Sequence, residues 1–201
     1  MTVSFREFKL EDLVPVARMA EDIWIRPEYG PRHSFEISYL YVYHAMEKQT
    51  STIVMEDDGE VVGVVSVRDR TKHAKPAVKK KDIMTYARDM LQMDEAEELI
   101  QLEKIYEKIN RKMIKECRLQ RTDEVLLLMV DFRMRGLGFG KKLFQEGLKQ
   151  LSGKRGRRVF ILTDDASNYR FYEKIGCEQV DHKTMDWAGK PMKMFVYALD
   201  Y

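Results

Sequence analysis

Arg135-Gly136-Leu137-Gly138-Phe139-Gly140-Lys141 is the stretch on which the reading of this fold turns. Before it, Glu124-Val-Leu-Leu-Leu-Met-Val130 is an almost wholly apolar run of the kind a buried strand needs. After it, Leu143, Phe144, Gly147, Leu148 and Leu151 recur at helical spacing. A strand, a glycine-rich turn and a helix in that order aim several free backbone N–H groups at one point, where the positive end of the helix dipole also lies. Glycines let that backbone curl tightly and let a bulky anion approach it closely. The turn reads as a pyrophosphate cradle; the bland alternative is a glycine-rich connection that binds nothing.

Spacing separates the kinds of phosphate loop. A nucleotide-hydrolysing P-loop, G-x-x-x-x-G-K-[ST], fails because Arg135 stands at its first glycine and Lys142 at its Ser/Thr. A dinucleotide-binding G-x-G-x-x-G fails because the third glycine comes one residue early. The stretch fits the R/Q-x-x-G-x-G/A signature of the GNAT acetyltransferase superfamily, with one extra glycine. Asn168-Tyr169-Arg170-Phe171-Tyr172-Glu173-Lys174-Ile175-Gly176-Cys177 in turn resembles the F-Y-E-K-x-G-F segment that follows the fifth strand in that family. It also has a local reading. Ser167 suits a helix N-cap, Phe171 and Ile175 share a face, and Gly176 ends the helix in a left-handed turn. Arg158-Val-Phe-Ile-Leu-Thr163 ahead of it is a second buried-strand pattern. Two matches, separated and in the right order, are much more specific than either alone.

The resemblance implies an α/β fold: a mixed, mostly antiparallel central sheet of about seven strands flanked by helices, with a helical insert between strands 3 and 4. It implies an N-acetyltransferase that uses acetyl-CoA as co-substrate and passes the acetyl group directly to a primary amine. Arg135, Gly136, Leu137, Gly138, Phe139, Gly140 and Lys141 would then hold the pyrophosphate. Leu128, Met129 and Val130 map onto the strand whose exposed backbone pairs with the pantetheine arm in the family. Tyr172 takes the place of the tyrosine that often protonates the departing thiolate, and a phenol near pKa 10 can do so at neutral pH. The asparagine that family members commonly carry ahead of this tyrosine is replaced by Asp165; Asn168 lies nearer and could reach the cofactor from the helix start.

An alkyl ammonium must lose a proton before it attacks. Asp131, Asp164, Asp165 and Glu124 lie near the relevant strand ends, each equally readable as an ordinary solvated or capping carboxylate. Acceptors to consider are a protein N-terminus or lysine, a polyamine, an amino acid or an aminoglycoside. Tyr29, Tyr39, Tyr43 and Trp187 could line an acceptor pocket or simply pack in the core. A reading from another class is a non-catalytic acyl-CoA-binding sensor or interaction module.

With 201 residues, 44% hydrophobic and 34% charged, the chain suits one globular domain over residues 1–201. No apolar run approaches the roughly 20 residues of a membrane span, and Met1-Thr-Val-Ser-Phe-Arg-Glu7 has no signal-peptide pattern, so a cytoplasmic protein without a membrane partner is expected. Cys117 and Cys177 predict buried thiols rather than a disulfide framework, and four scattered histidines give no metal site. A net charge of +2 does not argue for nucleic acid, and none is expected as partner. The basic run Arg68 to Lys81 is the local exception; it lacks interleaved aromatics and reads as a solvated loop leading into a helix.

The remaining elements follow from pattern. Val3 and Phe5 alternate in a first strand. A helix is expected over Glu11 to Ile25, with Ala17, Ala20 and Trp24 inward, then a loop over Arg26 to Arg32. Ser34 would cap a second helix with Ile37, Leu40, Tyr41 and His44 along one face. Strands 51–56 and 60–67 flank Asp58-Gly59, a strong hairpin signal. Residues 80–120 read as helix broken at Asp94, with Leu99, Leu102, Ile105, Tyr106, Ile109, Met113 and Cys117 in a stripe. One continuous rod would span about 50 Å, too long for this domain. These helices either cover a sheet face or build a substrate wall or a homodimer surface. Strands 178–186 and 192–199 close the chain.

Overall fold

The computed structural model describes residues 2–24, 34–92, 96–152, 157–187 and 189–201. Seven strands run β1 (Val3–Glu7), β2 (Ser51–Asp57), β3 (Glu60–Arg68), β4 (Asp123–Val130), β5 (Arg158–Asp164), β6 (Glu178–Trp187) and β7 (Lys190–Asp200). The helices are α1 (Leu13–Trp24), α2 (Ser34–Lys48), α3 (Lys80–Leu91), α4 (Ala96–Glu116), α5 (Phe139–Gln150) and α6 (Arg170–Lys174). The fold is mixed α/β with a mostly antiparallel seven-stranded sheet, and α3 and α4 form the expected insert between β3 and β4. The chain clusters into two compact units, Met1–Met93 with Val125–Ser152, and Asp94–Glu124 with Gly153–Tyr201.

In the first unit the strand order is β1-β2-β3-β4. The β2–β3 hairpin turns where the sequence predicts, with Asp58 at φ 50° and Gly59 at φ 86°, the pair of left-handed residues that a two-residue turn needs to match strand twist. Leu13, Val16, Ala17 and Ala20 of α1 and Val42 and Met46 of α2 join Val54, Val64, Leu127 and Met129 of the strands in one buried cluster. Neighbouring positions of β3 point the other way, toward α5. A Cβ on Gly63 would lie 3.0 Å from Leu143, and one on Gly147 would lie 2.6 Å from Val65. These two glycines let α5 press on the sheet more closely than any side chain allows.

Two expectations need correction here. The first helix starts later than Glu11, because Leu10–Asp12 winds as a 3-10 turn before α1. The Asp12 carboxylate is buried, accepts the Lys9 amide at 2.7 Å and is gripped through both oxygens by Arg6 at 2.7 and 2.8 Å. Burial by itself would raise its pKa; the bonds from Arg6 and Lys9 outweigh that and lower it. The face of α2 that carries Ile37, Leu40, Tyr41 and His44 is also only partly inward: Leu40 packs half-buried against the core and Ile37 is half-buried, but His44 is exposed. Ser38, Tyr39, Val42, Tyr43, Ala45 and Met46 are buried, while Tyr41 is exposed and meets Trp24 edge-on at 4.8 Å. Tyrosines at 39, 41 and 43 give the helix two plausible phases, and packing selects one. Trp24 itself is half-buried, and Ile25, the loop 26–32 with Tyr29, the Ser34 side chain and Asp94 lie outside the described residues.

The far end of α5 is tied down by a buried charge. Asp69, fully buried past the end of β3, accepts the Ser152 amide at 2.9 Å, the Ser152 hydroxyl, and the Thr71 amide and hydroxyl at 2.9 and 2.6 Å. Lys72 Nζ adds an ion pair at 3.3 Å. Burial would raise the Asp69 pKa, but the bonds from Ser152 and Thr71 hold it well below the ordinary carboxylate range.

The second unit orders its strands β5-β7-β6, both pairs antiparallel. The β6–β7 turn is tighter than expected, with Trp187 opposite Lys190 and Pro191 already inside β7; Gly189 takes φ 77° and its amide donates to Asp186 at 2.9 Å. Of the α4 stripe, Leu102 and Met113 are buried, Tyr106, Ile109 and Cys117 are half-buried, and Ile105 is exposed. Lys183 of β6 pairs with Glu116 at 2.7 Å and Tyr106 meets Trp187 edge-on at 6.0 Å, so this helix covers the β6 side of its own unit. In the first unit α3 packs on α2, burying Ile83.

Two outcomes follow from these contacts. Gly147→Ala forces a methyl into Val65 and lowers stability by about 1–3 kcal/mol in urea unfolding. A carboxylate with a depressed folded pKa contributes stability above its unfolded pKa of about 3.9, and that stability is lost as pH falls through the folded value. Asp69→Asn is therefore expected to cost about 3 kcal/mol at pH 7 and to flatten the loss of stability below about pH 4.

Candidate active site

The glycine turn grows out of β4. Past Val130 the Asp131 amide donates to Val62 O at 2.9 Å, and the Asp131 carboxylate caps a 3-10 turn, Phe132–Met134, by accepting the Arg133 amide at 2.8 Å. Arg135 is extended, Gly136 takes φ 78°, and Gly138 takes φ 80° as the N-cap of α5. Both glycines sit in the left-handed region that side chains rarely adopt, and in each case a Cβ would meet open space. Conformation, not crowding, is what demands glycine here.

A glycine cap brings no side chain to the helix start, so the amides of Phe139, Gly140 and Lys141 have no intrahelical acceptor. Lys142 is the first to bond back, to Gly138 O at 3.3 Å. Residues 135–138 are exposed and Phe139 and Gly140 half-buried, which leaves this amide cluster open on the surface. Arg135, Lys141 and Lys142 add positive charge beside it, whereas Arg133 is spent on Asp131 at 2.9 Å and Glu60 at 3.4 Å. An exposed helix start with free amides, a positive dipole end and adjacent cations fits a pyrophosphate.

In the second unit, β5 ends on Asp164, which is buried. Its Oδ1 accepts the Ala166 amide at 3.1 Å and the Ser167 hydroxyl at 3.2 Å, shaping the turn that leads to α6. Ser167 is thereby drawn back to Asp164, and Tyr169 rather than Ser167 occupies the N-cap of α6. Gly176 ends the helix at φ 96° as predicted. Helix α6 is held on β7 by Tyr197, whose hydroxyl donates to Glu173 at 2.9 Å. Tyr172 is buried between Phe171, edge-on at 5.4 Å, and the Tyr197 ring at 5.7 Å. Burial, and behind it the neighbouring Asp164 carboxylate, raises the Tyr172 pKa above the ordinary phenol value. This hydroxyl keeps its proton through the neutral range, which suits an acid and disqualifies a base.

The other sequence candidates take definite places. In β4, Leu128 and Val130 are half-buried and Met129 is buried, and Asn168 is exposed just before α6. Among the carboxylates, Asp131 is a poor base: the Arg133 bond lowers its pKa. Asp164 is committed to its turn, Asp165 is exposed and Glu124 is buried. Tyr39 and Tyr43 belong to the first unit's core, and Trp187 is buried in the second. The basic run after β3 is stitched down by Asp69 and by Gln49, which accepts the Lys75 amide at 2.8 Å, consistent with a solvated loop. Cys177 is a free buried thiol, pushed up to about 11 by that burial, and Cys117 is free but only half-buried. Sequence reasoning missed a further contact of Asp164: Tyr106 of α4 donates its hydroxyl to Oδ2 at 3.4 Å. Its place in an apolar stripe gave no sign of that role.

No curated protein matches the chain. Among solved structures it is similar to an N-acetyltransferase from Staphylococcus aureus Mu50 (16% identity, TM-score 0.55, covering 100% of this chain and 99% of that one). It is also similar to Arabidopsis thaliana NAA60 in complex with a bisubstrate analogue (16%, 0.56, 99% and 98%). A third is a GNAT family acetyltransferase from Brucella melitensis in complex with acetyl-CoA (16%, 0.50, 100% and 88%). At that identity the likeness carries the fold. The sequence matches the acetyltransferase (GNAT) family over residues 17–177, a span that takes in both the glycine turn and the Tyr172 segment. The chain is a member of the GNAT acetyltransferase family.

Proposed function

We propose that the protein is an N-acetyltransferase that moves the acetyl group of acetyl-CoA directly onto a primary amine. The observation that carries this reading is the turn into α5: two left-handed glycines open a helix whose first amides have no partner, beside Arg135, Lys141 and Lys142. In this reading the amides of residues 136–141 hold the pyrophosphate. The backbone of Leu128, Met129 and Val130 receives the pantetheine arm, and Asn168 adds a polar contact. A backbone amide in that strand polarises the thioester carbonyl.

The amine, as the free base, attacks the carbonyl carbon. A C–N bond forms, the C–S bond breaks, the nitrogen releases its extra proton to solvent, and the sulfur leaves as a thiolate. Tyr172 gives that thiolate its phenolic proton and regains one from water. Burial keeps the phenol protonated at neutral pH, so its proton is in place when the thiolate leaves; the same burial makes it a weaker acid than a free phenol, and reprotonation from water completes the transfer. We propose that residues 1–201 act as one catalytic domain. Among the described residues no helix is long and apolar enough to cross a membrane, and we place the protein in the cytoplasm.

The test is release of free thiol from acetyl-CoA in the presence of spermidine, glycine or a lysine-containing peptide, with the acetylated amine identified by mass. Turnover of at least one amine is expected. Tyr172→Phe should lower kcat by roughly a hundredfold while the KM for acetyl-CoA stays unchanged. Acetyl-CoA binding without any amine-dependent turnover would overturn the reading in favour of a binding module.

A further inference from the structure

We propose that Tyr197 of β7 is a positioning residue for Tyr172 and acts through Glu173, the next residue along α6; this rests on the reading of Tyr172 as the thiolate's acid. Helix α6 has five residues and no side-chain hydrogen bond at its N-cap, so it is too short to keep a helical shape by itself. Its place is set by what it packs against. Two contacts from one face of the helix, one turn apart, tie it to β7. At its start Tyr169 stacks on Phe195, with ring centres 4.6 Å apart and planes 22° from parallel. One turn later the Tyr197 hydroxyl donates to Glu173 Oε1 at 2.9 Å. A stacked pair of rings alone would let the helix swivel. The second contact fixes its rotation, and with it the direction in which Tyr172 leaves the backbone.

Tyr197 is a rigid base for that bond. It is fully buried, and β7 is paired on both sides at this residue, with Ile161 of β5 and Gln179 of β6. Burial, reinforced by the Glu173 carboxylate, raises the Tyr197 phenol pKa, so its hydroxyl is a donor throughout the neutral range. Gln179 Oε1 lies 3.4 Å from the same hydroxyl and is the longer, weaker of its two acceptors. Among the described residues Glu173 makes no ion pair, and Arg170 turns its guanidinium to the Tyr169 ring, 6.0 Å from the centroid. A bond of ordinary length from a buried hydroxyl to a carboxylate belongs to the stronger class of hydrogen bonds. Tyr197 also presents its ring to that of Tyr172 at 5.7 Å and 30°. One side chain thus touches the Tyr172 ring directly and holds the residue that follows it in the chain.

Double-mutant cycles separate positioning from simple packing. Tyr197→Phe keeps the ring against Tyr172 and removes only the hydroxyl. Glu173→Ala removes the acceptor at an exposed position, and Glu173→Gln keeps an oxygen that can accept. Each is assayed in the wild-type and Tyr172→Phe backgrounds, with acetyl-CoA and the best acceptor among spermidine, glycine and the lysine peptide. Tyr197→Phe and Glu173→Ala are each expected to lower kcat by roughly three- to tenfold with the acetyl-CoA KM unchanged, and together to lower it no further. Glu173→Gln should retain about half of the wild-type kcat or more, and none of the three should have a further effect beside Tyr172→Phe. An unchanged kcat in Tyr197→Phe or Glu173→Ala, a Glu173→Gln as slow as Glu173→Ala, or equal multiplicative losses in both backgrounds would overturn the proposal while leaving Tyr172 as the acid. If Tyr172→Phe itself turned over at the wild-type rate, or if no amine were acetylated, the acid reading would fail and the positioning role with it.

Discussion

The close approach of α5 to the sheet is the constraint from which the first unit follows. Gly63 and Gly147 remove the two side chains that would hold the helix off, and Leu143 and Phe144 fill the interface instead. Each Cβ added there would need a neighbour to give way in an interior packed close to crystal density. At its far end, Ser152 is bonded to buried Asp69; at its near end, the left-handed pair Gly136 and Gly138 turns the chain out of β4. A helix seated by contacts along its length and anchored behind has no freedom in where its first amides lie. The same side-chain losses that let the helix sit low give the helix start its fixed position, and that position is where an anion would be received.

In the second unit the alternation of β7 does the equivalent work. Phe195 and Tyr197 project to one side and Met194 and Val196 to the other, as strand pleating requires. The aromatic side receives α6: Tyr169 stacks on Phe195 at 4.6 Å, and Tyr197 both faces the Tyr172 ring and bonds Glu173. Tyr172 is therefore enclosed by aromatic rings rather than by water, and the raised phenol pKa is a product of packing before it is a product of charge. A buried phenol of this kind is fully protonated at neutral pH and a weaker acid than a solvent-exposed one.

How much of this was legible in the sequence varies with the physics involved. The hairpin at Asp58-Gly59, the left-handed glycines 136, 138 and 176, and the strand runs ending at Val130 and Asp164 are local features, written in turn chemistry and periodicity. The phase of α2 was not legible, because tyrosines on several faces made burial depend on what packs against the helix. Ser167 could not be told from an N-cap until Asp164 claimed its hydroxyl. The Tyr106–Asp164 contact joins positions 58 residues apart in the chain, and no local pattern marks such a pair. The roles of Gly63 and Gly147 were equally silent, since a glycine needed for close approach looks in sequence like any other glycine within an element.

Acetyl transfer by this protein requires that the turn into α5 receive a pyrophosphate. Calorimetric titration of acetyl-CoA into the wild-type protein and into Gly138→Asp addresses this most directly. A Kd on the order of micromolar for wild type is predicted, with binding lost in the variant, where an aspartate at φ 80° sets a negative charge at the helix start. Unchanged binding in the variant, or none by the wild type at millimolar acetyl-CoA, would contradict it.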